Sequence, residues 1–323
     1  MGLSRIGAAI AASLVLAGPA LADDCLNPNA LGVSRILPVD PAVFARVGSM
    51  QYPATLPLRP KEVVLTFDDG PMPPMTNSVL HALRNECVRA TFFLVGRNAK
   101  SHAAVARQIA EEGHTIANHT ENHHLIALAG PHGIQEFDKG FATIAAALEP
   151  TGFSPAPFFR FPGLLNTHAV ESHAKSKSIS VMSADVLADD WIGIGPDHII
   201  ARGMARLQQK SSGILLLHDV QPALALAMPR LLSELKRLGY RVVHIVPAPG
   251  AGVPPAAAPE PAIAEKKTTG PAAPRRIAAR PAAKPAEPEP PPFMPFARWR
   301  KMIEERKGGT AAASYPAFDH GSQ

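Results

Sequence analysis

Between residues 62 and 246 the chain alternates short, mainly apolar runs with longer amphipathic stretches whose apolar residues return every three or four positions. The runs at 63–67, 90–95, 114–117, 158–160, 179–182, 213–217 and 240–245 predict about seven strands. The run at 213–217 has no polar residue, so it is expected to be covered on both faces. The stretches at 76–86, 103–112, 133–148, 197–209 and 229–238 predict helices. Pro196 marks the start of the fourth, Pro222 offers an earlier start for the fifth, and Gly239 ends it. Strands that alternate with helices in this way imply a parallel α/β architecture, either an open doubly wound sheet or a closed barrel. Polar residues gather where the predicted strands end: Asp68 and Asp69, His119, Arg160, 185–190, and His218 with Asp219. In a barrel those ends share one face, where barrel chemistry is built.

The flanks differ in character. Residues 1–22 read as a secretory signal: Arg5, then an apolar run at 6–16 too short to cross a bilayer, then small residues around Ala20 and Ala22. This predicts an exported protein, periplasmic or extracellular, with no transmembrane segment. Residues 23–61 form a lead-in with scattered prolines and no clear period. Cys25 and Cys87 are the two cysteines of the chain, and in an oxidising compartment they are expected to bridge the lead-in to the first helix. The alternative is two unpaired thiols.

Beyond the domain at 62–246, residues 247–323 read as a Pro/Ala-rich basic tail, mostly disordered. Of the 34 prolines, 15 fall within 247–295, a composition that cannot bury enough apolar surface to fold. Phe296, Trp299, Met302 and Ile303 then stand among five basic residues. That spacing suits a short amphipathic helix touching a membrane surface or cell-wall polymer, or else a plain tail with a few aromatics. The formal net charge is +5, and residues 248–323, with 11 Lys+Arg against 7 Asp+Glu, carry +4 of it. The basic excess therefore lies in the tail, and no nucleic-acid partner is expected.

Three clusters suggest chemistry on their own. In Thr66-Phe67-Asp68-Asp69-Gly70-Pro71 two carboxylates share a strand end. Neighbours on a strand face opposite ways, so both reach one site only where the strand breaks, a break that Gly70 would permit. Crowded carboxylates favour a cation; a metal on one leaves the other free as a base. His119 and His123 stand at i and i+4, the spacing of a two-histidine metal clamp on a helical turn. With Asp69 as third ligand the set leaves room for water and substrate. Glu121 is misplaced for a His-Glu-x-x-His protease motif, and His114 and His124 are taken as structural. Arg160 ends an aromatic strand, where it would pair with a carboxylate and hold it ionised.

With Asp185-Val186-Leu187-Ala188-Asp189-Asp190-Trp191 and Leu216-Leu217-His218 added, five motifs stand in an order that resembles the polysaccharide deacetylase family, carbohydrate esterases with a nodulation-type deacetylase domain. The resemblance covers residues 62–246. It implies a distorted, incomplete parallel (β/α) barrel, with Asp68 as general base and Asp69, His119 and His123 binding a divalent metal, usually zinc, with cobalt or another ion in its place. It also implies His218 as general acid, oriented by Asp190, and Arg160 paired with Asp68. Trp191 and Leu216 would line an acetyl pocket beside Pro162 and Gly163. Two positions depart from the pattern: no aromatic follows Pro162, which leaves Gly163 as the nearby oxyanion donor, and Leu187 replaces an acidic residue. The expected activity is removal of N-acetyl groups from N-acetylglucosamine units of chitin oligomers, peptidoglycan or an exopolysaccharide. The competing readings are an O-acetyl esterase with the same metal site and a glycan-binding protein without activity.

Overall fold

A computed structural model describes residues 25, 27–125, 128 and 131–251. The expected signal segment and the tail beyond 251 lie outside the described residues. Ten strands, all paired in parallel, make one sheet. Its centre is β3 (Glu62–Asp68), followed by β4 (Thr91–Leu94), β5 (Thr115–Asn118), β6 (Phe158–Phe159) and β7 (Ser180–Met182) side by side. The chain then bends at 183–185 and continues as β8 (Val186–Leu187). β8 pairs with β9 (Gly213–His218), and β9 returns to β3 along its whole length. β7 and β8 are not paired, so the ring stays open at that bend, as an irregular, incomplete α/β barrel of fewer than eight units. Helices α1 (Met75–Asn85), α2 (Gly96–Ser101), α3 (Ala103–Glu111), α4 (Pro131–Leu148), α5 (His168–Ser176), α6 (Pro196–Lys210) and α7 (Pro222–Arg237) follow the strands. No helix among the described residues is long and apolar enough to cross a membrane.

The alternation along β3 shows how the ring is filled. Val63, Leu65 and Phe67 pack outward in a large cluster with α1, α3, α6 and α7. Val64 points inward with Phe93, Ala117, Phe158, Met182 and Ile214. A period of two therefore places Thr66 and Asp68 inside as well. The interior is apolar at the bottom and turns polar at the carboxyl ends of the strands.

The lead-in, which shows no period in the sequence, carries two further strands. β1 (Val33–Val39) pairs with β10 (Arg241–Pro247), which itself meets the first two residues of β3. β2 (Arg46–Val47) pairs with β7. β1 alternates half-buried and exposed positions and contains Ser34, Arg35 and Pro38, so its apolar signal is weak. Helices α2 and α5 are likewise additions; α5 buries only Val170 and Ala174. Cys25 and Cys87 are joined by a disulfide with Cα atoms 5.7 Å apart, which ties the start of the lead-in to the turn after α1.

Asp185 sits where the ring is most irregular. Its Oδ1 accepts Ser49 N–H at 2.8 Å, and its Oδ2 accepts the Thr55 hydroxyl at 2.7 Å and Ile214 N–H at 2.9 Å. One buried carboxylate thereby joins the lead-in, the β7–β8 bend and β9. Asp185→Ala would strand two backbone N–H groups and a hydroxyl. The expected loss is on the order of 3 kcal/mol of unfolding free energy, measured by urea denaturation; a change within experimental error would show that the seam does not depend on it.

Candidate active site

Because all the strands are parallel, the residues at their carboxyl ends meet at one mouth. Asp68 is the last residue of β3, His119 follows β5, Arg160 follows β6, and His218 ends β9 opposite Asp68 in register. Arg160 is fully buried. Its Nη1 donates to Asp68 Oδ1 at 2.7 Å and to Thr66 Oγ1 at 2.8 Å. Nε donates to Met182 O at 3.0 Å and Nη2 to Ser183 O at 2.9 Å, while the guanidinium lies 4.1 Å over the Phe93 ring. Burial lowers the affinity of this guanidinium for its proton, and the Asp68 charge works against that. Asp68 Oδ1 is thus engaged, while Oδ2 faces the mouth, 3.7 Å from His119 Nε2.

Asp69 reaches the same mouth because the strand breaks at that residue. Its φ is 78°, so the break falls on Asp69 itself and not on Gly70 as expected. A non-glycine residue in this region needs its surroundings to hold it. Asn98 Nδ2 donates to its carbonyl at 2.8 Å, and Val95 N–H donates to Gly70 O at 3.1 Å. Glycine at 70 has a different reason: a Cβ there would collide with the Asp219 carboxylate.

The histidine pair also departs from its expected setting. Residues 119–123 form a loop, with φ of 71° at Thr120 and 57° at His123, and not a helical turn. The loop finds its hydrogen bonds in α4 in place of i to i+4 bonds. Glu136 O accepts Glu121 N–H at 3.0 Å, and the buried Glu136 carboxylate accepts both Asn122 N–H and Asn122 Nδ2 at 2.8 Å. Thr120 Oγ1 accepts His123 N–H at 3.0 Å.

Asp69, His119 and His123 present ligand atoms that all lie within 4.8 Å of one another. Asp69 Oδ1 is 3.4 Å from His119 Nε2 and 3.1 Å from His123 Nε2, yet this buried oxygen accepts no hydrogen bond of normal geometry. His119 Nδ1 lies 2.8 Å from Arg160 O. A carbonyl can only accept, so Nδ1 carries the proton and Nε2 offers a bare lone pair. Burial pushes the Asp69 carboxyl up, but its imidazole neighbours, the His123 charge foremost, outweigh it and hold the group well below the usual carboxylate range. A donor set of one carboxylate and two imidazoles, with an orphaned buried oxygen at its centre, fits a divalent cation.

On the opposite wall, Asp190 accepts His218 Nδ1–H at 2.9 Å and His218 N–H at 2.7 Å. Burial alone would lower the His218 imidazolium; Asp190, with Asp69 and Asp68 behind it, pushes it up to about 10. The Trp191 ring stands edge-on to His218 at 5.4 Å. Leu216 is buried in β9 beside Leu187. Pro162–Leu164 form a short turn after Arg160, with Gly163 exposed at φ 58°.

The polysaccharide deacetylase model matches residues 56–182. A peptidoglycan-N-acetylglucosamine deacetylase from Bacillus cereus is 31% identical over 195 residues, which span 59% of this chain and 89% of that protein. The chain belongs to the polysaccharide deacetylase family. A chitooligosaccharide deacetylase from Rhizobium leguminosarum is 29% identical over 58% of this chain and 85% of its own length. A peptidoglycan deacetylase structure from Bdellovibrio bacteriovorus superposes with a TM-score of 0.58 at 27% identity, covering 67% of this chain and 60% of that one.

In this family member the model match ends at 182, before Asp190 and His218, so the acid side of the mouth rests on geometry. The structure brings together Asp68, Asp69, His119, His123, Arg160, Asp190 and His218. His114 lies at the start of β5, away from the mouth, where its Nδ1 accepts Ala90 N–H at 3.1 Å. Sequence reading names Thr66, Asp185 and Asp219 within motifs or at strand ends without giving them a role, and does not single out Asn98 or Glu136. Replacing Asp190 by Asn removes the charge nearest the His218 imidazolium. The His218 titration, followed by NMR in metal-free protein, is expected to move down from about 10; an unmoved midpoint would deny Asp190 that role.

Proposed function

We propose that this chain is an exported, metal-dependent N-deacetylase of glycans that contain N-acetylglucosamine. The observation that carries the reading is the convergence on one mouth of a three-ligand cation set, a carboxylate held by Arg160 and an imidazolium held by Asp190. Asp69 Oδ1, His119 Nε2 and His123 Nε2 would hold the ion, zinc by preference. When bound, it supplies positive charge that polarises the acetyl carbonyl and acidifies a water.

The protein's own groups supply the proton transfers. Asp68 has one oxygen fixed by Arg160 and the other open, so it accepts the proton of the attacking water. The water oxygen bonds to the carbonyl carbon as the carbonyl π bond opens. Gly163 N–H is the nearby backbone donor for the oxygen that gains charge. His218 then gives its Nε2 proton to the sugar nitrogen as the carbon–nitrogen bond breaks, leaving acetate and a free amine. An amine leaves poorly without that proton, and an imidazolium pushed up to about 10 is charged at neutral pH. This favours amide over ester cleavage. Trp191 and Leu216 form the wall on which the acetyl methyl rests.

The names of the similar proteins point to peptidoglycan or chitooligosaccharide as substrate. The signal-like residues 1–22 support action outside the cytoplasm, on an envelope glycan.

The test is acetate release by the zinc-loaded full chain from N-acetylglucosamine oligomers, from peptidoglycan and from an O-acetylated glycan. The N-acetyl substrates are expected to yield acetate, chelation to stop it, and Asp68→Asn to slow it by about 10²–10⁴-fold. Acetate from the O-acetylated glycan alone would make the protein an esterase. No acetate from any of the three would favour a binding protein.

A further inference from the structure

Asp219 is completely buried next to the proposed acid, and the steps above do not use it. Its Oδ2 accepts a hydrogen bond from the Thr76 hydroxyl, and its Oδ1 accepts none among the described residues. Thr76 Oγ1 in turn accepts Met72 N–H at 2.7 Å, and Thr76 N–H donates to Met72 O at 3.1 Å. These bonds join β9 to the turn at 69–76, which carries Asp69 and connects β3 to α1. The turn lies flush on the carboxylate: any Cβ at Gly70 would strike both Asp219 oxygens.

We propose that Asp219 and Thr76 form a clamp that fixes the turn bearing Asp69, through the first residues of α1, against the end of β9. Asp219 is a positioning residue in this account, since it acts through Thr76 and the backbone of residues 70–72. The physical need for it is specific. Asp69 occupies a left-handed backbone conformation, uncommon for a residue with a side chain though less costly for aspartate than for most. Asn98 and Val95 hold the turn from the β4 side, and beyond the β3–β9 ladder that ends at Asp68 the Thr76–Asp219 pair holds it from the β9 side. The β3–β9 ladder and Arg160 already hold Asp68 beside His218, so loosening the clamp misplaces Asp69 relative to both. The proposal builds on the deacetylase reading for its kinetic consequence, but the clamp itself is a statement about the turn.

Thr76→Val keeps the shape and removes the hydroxyl. In the full chain its zinc affinity, read by competition with a chelating dye, is expected to fall by about 10-fold. The kcat on N-acetylglucosamine oligomers should fall while KM stays, and amide exchange across 69–74 should quicken in metal-free protein. Thr76→Ser should restore all three. Asp219→Asn keeps an acceptor for the hydroxyl and should bind zinc as the wild type does. If Thr76→Val lowers only the melting temperature, with zinc affinity, kcat and exchange unchanged, the clamp is overturned. Loss of zinc binding in Asp219→Asn overturns it too, in favour of a charge effect. A wild type that binds no zinc sinks the deacetylase reading alone; the exchange measurement then decides the clamp.

Discussion

Everything at the mouth of this barrel depends on one buried guanidinium. Arg160 has no exposed surface, and water is therefore not there to solvate its charge. Breaking such a pair by removing one partner typically costs about 3–5 kcal/mol, because the other charge stays buried alone. The protein meets that constraint with Asp68, the Thr66 hydroxyl and two carbonyls of the β7–β8 bend. The carbonyl of the same residue orients His119. One arginine therefore orients the Asp68 carboxylate, leaving Oδ2 open, through its side chain and leaves the His119 Nε2 bare through its backbone carbonyl. The β7–β8 bend has its own support in Asp185, so the lead-in contributes to the site through that carboxylate.

Strain is the second common feature. Asp69, Thr120 and His123 all have positive φ, and two of the three are in the cation set. Such conformations cost on the order of 1–3 kcal/mol each and persist where the surroundings over-determine them. The surroundings here are polar side chains from other elements: Asn98 in α2, Glu136 in α4, and Thr76 with Asp219. A helix carrying His119 and His123 would have avoided the strain, but it would also have pointed both histidines along one face. The loop instead brings them from different directions onto Asp69, 5.0 Å apart ring to ring.

Much of this was legible in the chain, for identifiable reasons. β3, β5, β7 and β9 are buried on both faces or nearly so, and a run such as Ile214 to Leu217 has no other stable place. β1 was illegible because half its residues face water, and α5 because two small apolar residues carry its whole buried face. The residues proposed as ligands and acid stand out in the sequence because their types and order resemble a known family, whose membership the similarity to the Bacillus cereus deacetylase establishes. The supports do not. Glu136, Asp185 and Asp219 are ordinary acidic residues by sequence, and what distinguishes them is the unpaired N–H or hydroxyl each one meets.

What the sequence by itself determined is whatever depends on neighbours along the chain. The period of two in β3 sends Thr66 and Asp68 inward together. The alternating apolar runs dictate a parallel α/β architecture, and parallel strands bring their ends to one side. Tertiary structure decided which backbone angle breaks the strand at Asp69, that the histidine pair rides on a loop, and that β9 and the β3–α1 turn are clamped together. Those outcomes turn on hydrogen bonds between residues up to 143 positions apart, such as Thr76 and Asp219. Local preference cannot anticipate such bonds, because the energy that selects them exists only once burial has removed water as the competing partner.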